Sequence, residues 1–120
     1  MLRKSLYSIG HGNRKIESFI ELIRLYNIQY VIDVRSQPYS KFNPDFNQDI
    51  LKNNLQMFNI TYVFMGDSIG GRPLDKSCYD ADGKVDYERV KNKPFFKDGI
   101  SRLKTAYNKN IPIVVMCSES

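Results

Sequence analysis

The stretch Gln29-Tyr30-Val31-Ile32-Asp33-Val34-Arg35-Ser36-Gln37-Pro38-Tyr39 runs from apolar residues straight into a polar tract. Val31, Ile32 and Val34 form a near-continuous apolar run, the pattern of a parallel strand covered on both faces. The strand is read over 29–34. The same transition occurs three more times. Leu6-Tyr7-Ser8-Ile9 leads into Gly10-His11-Gly12-Asn13-Arg14. Tyr62-Val63-Phe64-Met65 leads into Gly66-Asp67 and on to Gly70-Gly71-Arg72-Pro73. Ile113-Val114-Val115-Met116 leads into Cys117-Ser118-Glu119-Ser120. If the four runs are parallel strands, all four tracts emerge at one edge of the sheet, where open α/β folds bind their ligands.

Helical periodicity fills the gaps. Ile16, Phe19, Ile20 and Ile23 share one face of a helix, which Asn13 would cap and which ends near Tyr26-Asn27. A second helix, capped by Asn47, carries Ile50, Leu51, Leu55 and Phe58. It leads into a strand over 60–65. Residues 66–86 are the least regular stretch, and a loop of that length in a compact domain is usually functional or mobile. Residues 87–91 suit a short helical turn. Pro94 suits the first position of a longer helix through Phe95, Ile100, Leu103 and Tyr107. Pro112 precedes the last strand, 113–116. The alternation predicts an α/β domain of three layers, a mostly parallel sheet with helices on both faces.

At 120 residues, 42% hydrophobic and 26% charged, the chain reads as one globular domain over 1–120, large enough for a core without disulfides or a metal. No apolar run approaches the roughly 20 residues that span a bilayer. The start, Met1-Leu2-Arg3-Lys4-Ser5, lacks the apolar region of a signal peptide, so the expectation is a cytoplasmic protein without a membrane partner. Cys78 and Cys117 are far apart, and His11 is the one histidine. No metal site or cofactor motif can be read from them. The formal net charge of +5 favours anionic partners, although the lysines are dispersed as on any basic, solvated surface.

Each tract offers chemistry beside a plainer reading. Gly10 and Gly12 let the backbone turn and present amides near a helix start, where Asn13 and Arg14 could join in holding an anion and His11 could move a proton. Equally, the glycines simply make the turn. Asp33 and Arg35 lie on one side of a strand, either as an ion pair or with the acid aiming the guanidinium at a ligand. Ser36, Tyr39 and Phe42 mix donors with rings that could stack on a base, or the two rings form a local core. Gly71 and Arg72 suit a lid over an anion or a tight turn. Cys117 is a candidate nucleophile and Glu119 a candidate acid or base.

Taken together, Ser8–Arg14, Val31–Ser40 with Phe42-Asn43, Gly70-Gly71-Arg72 and Met116-Cys117-Ser118-Glu119 resemble the family called Domain of Unknown Function 488. The resemblance implies the fold and the place of the site, not a reaction. In that family a cysteine-histidine-arginine motif typically follows the cysteine-glutamate tract. The chain ends before it, so the expectation is a domain shortened at its C-terminal end. Val31–Arg35 and Ile113–Cys117 are also similar to two strand ends of rhodanese-like sulfurtransferases, and cysteine phosphatases share that logic. The leading expectation is a crevice for a phosphate-bearing ligand, a nucleotide or nucleic-acid end, clamped by Arg14, Arg35 and Arg72. The alternatives are an enzyme using Cys117 and a non-catalytic nucleic-acid-binding module.

Overall fold

A computed structural model describes residues 6–118. Four parallel strands, β1 (Leu6–Gly10), β2 (Tyr30–Asp33), β3 (Thr61–Phe64) and β4 (Ile113–Cys117), form one sheet in the order β1-β4-β2-β3. Five helices accompany them: α1 (Ile16–Leu25), α2 (Gln48–Gln56), α3 (Gly66–Ile69), α4 (Tyr87–Val90) and α5 (Pro94–Asn108). β4 is therefore the last strand in sequence yet lies between β1 and β2, in register with Leu6↔Ile113 on one side and Tyr30↔Ile113 on the other. Being flanked on both edges explains its buried Ile113, Val114 and Met116.

Strand side chains alternate between faces, and the core divides accordingly. Val31, Val114, Met116, Tyr7, Ile9 and Tyr62 pack with α1 and α2 through Phe19, Ile20, Ile23, Leu51 and Leu55. Ile32, Ile113, Val63 and Val115 pack instead with Ile69, Leu103 and Ala106 of α3 and α5. The chain leaving β2 thus passes to one face and the chain leaving β3 to the other. Diverging connections of this kind open a crevice at the sheet's C-terminal edge.

The three long helices end alike. Asn27, Asn59 and Asn110 each adopt the left-handed conformation, at φ 56, 60 and 57°, which asparagine tolerates better than other side chains bearing a Cβ. After each, an isoleucine amide reaches back across the last turn, from Ile28 to the Ile23 carbonyl, Ile60 to Leu55 and Ile111 to Ala106. This satisfies carbonyls that a helix end leaves without partners and starts the chain towards the next strand.

Two expectations about capping change. α1 begins at Ile16 with Lys15, not Asn13, at its cap, because the Arg14 amide closes a turn onto the His11 carbonyl first. Asn47 does occupy the cap position of α2, but its side chain accepts from the Ser40 amide at 2.7 Å and so ties down the preceding loop. The irregular stretch after β3 contains α3, a 3-10 turn over Lys76–Cys78 and a bridge between Tyr79 and Val85.

Candidate functional site

At the C-terminal end of β2 the chain buries a charged pair. Asp33 is 0% exposed and Arg35 6%. Two residues apart on an extended segment, they point the same way, and the carboxylate takes the guanidinium through two bonds. Arg35 Nε donates to Asp33 Oδ1 at 2.9 Å and Nη2 to Oδ2 at 2.8 Å. The Arg35 backbone amide adds a bond to Oδ1 at 3.1 Å. Burying such a pair is tolerable only when the remaining donors and lone pairs are met. Here they largely are. Nη2 also donates to the Phe46 carbonyl at 2.7 Å, and the Tyr62 hydroxyl donates to Asp33 Oδ2 at 2.6 Å.

His11 completes the cluster at 3% exposure. Its Nε2 lies 3.4 Å from Arg35 Nη1, and its Nδ1 lies 3.2 Å from the Gly12 carbonyl. The carbonyl can only accept and the guanidinium can only donate. The ring is therefore neutral, with its proton on Nδ1. Burial lowers the imidazole pKa below its ordinary value, the Gly12 carbonyl opposes that, Arg35 adds to it and Asp33 opposes it. The ring stacks on Phe46 at 4.8 Å, and Phe46 meets Phe19 edge-on at 5.1 Å. Tyr62 ionises well above its ordinary range, chiefly through burial and then through its bond to the Asp33 carboxylate.

Beside this cluster a cleft of about 540 Å³ is lined by Arg35, Ser36, Gln37, Gly71, Arg72 and Cys117, among others. By alternation along β4, Cys117 belongs to the same face as Ile113 and Val115. Ser36 Oγ accepts from the Arg72 amide at 2.8 Å and so joins the loop after β2 to the loop after α3. That approach depends on Gly66, where a Cβ would collide with the Arg35 carbonyl and lie 2.7 Å from the Phe64 ring.

The cleft brings together Arg35, Ser36, Gly71, Arg72 and Cys117, with Asp33 and His11 behind Arg35. Gly10, Gly12, Asn13, Arg14 and Tyr39 are not among its lining residues. The His11 and Gly12 amides, expected to face an anion, donate to the Cys117 and Ser118 carbonyls at 3.0 and 3.1 Å, because β1 stays paired alongside β4. Arg14 is exposed, with Nε on the Gly10 carbonyl at 3.0 Å. Tyr39 and Phe42 form no local core, since both are exposed and Phe46 fills that place. Glu119 lies outside the described residues. Among the described residues no cluster suited to a metal occurs, and no helix is long and apolar enough to cross a membrane.

Tyr62 and Phe46 escaped the sequence reading. Tyr62 was visible as the one residue of its apolar run with a polar tip, a type that usually finds a hydrogen-bond partner when buried. Phe46 had no local signal, because its carbonyl and ring act on residues distant in sequence.

An open parallel α/β domain with a buried Asp-Arg-His cluster beside a strand-end cleft is the class these features define. The chain belongs to the family described as Domain of unknown function DUF488, which matches residues 15–120. The matched span begins just after the Gly10–Arg14 turn. No curated protein and no solved structure matches the chain.

Proposed function

We propose that the cleft beyond the ends of β2, β3 and β4 binds a phosphate-bearing ligand, a nucleotide or the end of a nucleic acid. The observation that carries this reading is the pairing of an immobilised Arg35 with an exposed Arg72 in one cleft, their loops joined through Ser36. Arg35 is spoken for by Asp33, Phe46 and His11, so its charge is balanced and it contributes a rigid wall to the cleft. Arg72 supplies the direct contact, and the Ser36 hydroxyl keeps its own hydrogen to donate. Asp33 and His11 act as positioning residues for Arg35. Calorimetric titration with inorganic phosphate and mononucleotides tests the reading. Arg72→Ala is expected to bind about 10- to 100-fold more weakly, the worth of a charge-assisted bond. Equal affinity in the two proteins overturns it.

A second reading has one specific support, the presence of Cys117 among the residues that line the same cleft as Arg72. A thiol nucleophile in sulfur or phosphoryl transfer would sit there, with cations facing the transferred group. Cys117→Ser would then abolish turnover and leave phosphate binding intact.

A further inference from the structure

Residues 38–47 form a loop held at several points. The Gln48 amide donates to the Pro38 carbonyl at 2.9 Å, and the Ser40 amide to Asn47 Oδ1 at 2.7 Å. The Asn43 amide donates to Ser40 Oγ at 3.0 Å. Asn43 Nδ2 reaches across to the Arg14 carbonyl at 2.9 Å and the Gly12 carbonyl at 3.3 Å, binding this loop to the turn after β1. From beneath, Phe46 anchors it in the core with 0% exposure.

A loop so tethered could fold its rings inward, yet it does the reverse. Phe42 is 96% exposed and Tyr39 64%. Lys41 lies between them in sequence, and Arg14 and Lys15 lie on the segment that Asn43 grips, all three exposed. Asp45 is the one acid on these two segments. Rings held out among cations lose the benefit of burial, and Tyr39 gains for the fold a single long bond from its hydroxyl to Gln48 Oε1 at 3.5 Å. They suit a ligand with flat apolar faces strung on a negative backbone. Single-stranded nucleic acid has that chemistry, because unpaired bases stack on aromatic side chains while lysine and arginine meet the phosphates. An acidic protein would use the cations but would leave the two rings without stacking partners.

We infer that the loop carrying Tyr39 and Phe42, with Arg14, Lys15 and Lys41, is a docking surface for single-stranded nucleic acid. The inference names the ligand class of the adjoining cleft, and it rests on that reading in directing a phosphate of the same strand there. Ser36 and Gln37, which line the cleft, directly precede this loop.

The test pairs fluorescence anisotropy, using a labelled oligothymidylate of about 12 nucleotides, with calorimetry using inorganic phosphate. Wild type is expected to bind the single strand more tightly than a duplex of equal length. Phe42→Ala, a change at an exposed position, is expected to weaken single-strand binding about tenfold or more. Its salt dependence and its phosphate binding should stay as in wild type. Unchanged affinity in Phe42→Ala overturns the inference, as does a duplex bound as tightly as the single strand. Phosphate binding without oligonucleotide binding overturns it and leaves the cleft reading standing. Phe42-dependent oligonucleotide binding in a protein that takes up no phosphate supports the surface and overturns the cleft.

Discussion

Arg35 and Arg72 line the same cleft in opposite circumstances. Arg35 sits at the end of a central strand, out of water, with donors on a carboxylate, a backbone carbonyl and an imidazole. Arg72 sits on an exposed loop, fixed among the described residues through its backbone amide. In a low-dielectric interior a charge without a partner is very costly, so every neighbour of Arg35 is committed to it. In water the same charge is cheap to keep and remains available to a ligand. The two tracts therefore differ in rigidity and exposure, which their sequences, both centred on an arginine, do not reveal.

The contrast breaks most readily at Asp33. Asp33→Ala leaves the guanidinium buried without its counter-charge, with an expected loss of about 3–5 kcal/mol in urea unfolding. A loss below about 1 kcal/mol would mean that Arg35 finds water, and the two arginines would then be alike. Tyr62→Phe removes one bond to a charged group, for an expected loss of about 1.5–3 kcal/mol. Because folding raises the Tyr62 pKa, its contribution is present below about pH 10 and is lost as pH rises further. The alkaline limb of the wild-type stability curve should therefore be steeper than that of Tyr62→Phe.

The smallest of these effects lies at His11. Folding lowers its pKa from the ordinary 6.5, so its contribution is present above that value and fades as pH falls through the lowered one. Protonation would also set an imidazolium against the Arg35 guanidinium. Thermal unfolding between about pH 7 and 5 should fall less in His11→Gln than in wild type. Equal slopes in the two proteins would remove His11 from the cluster that distinguishes Arg35 from Arg72.

Much of the fold could be read from local pattern. Four apolar runs became the four strands, and the spacing of Ile16, Phe19, Ile20 and Ile23 became the buried face of α1. Pro94 does open α5. Asn27-Ile28, Asn59-Ile60 and Asn110-Ile111 end three helices in the same way, a recurrent local signal of a left-handed cap followed by an apolar residue. Asn13 misled because a capping residue type says nothing about how many residues the preceding turn consumes.

The site was legible as a location and less so as an arrangement. Residues two apart on a strand share a face, so Asp33 beside Arg35 follows from spacing. The meeting of Ser36 with Arg72, and of Arg35 with His11 and Phe46, follows from no spacing, because those pairs are 36, 24 and 11 residues apart. Only the insertion of β4 between β1 and β2, with the chains after β2 and β3 passing to opposite faces, brings them together. Periodicity and turn chemistry act over a few residues and so set the elements and the edge where the polar tracts emerge. Burial acts across the whole molecule, and it alone decided which arginine became part of the core and which was left facing the cleft.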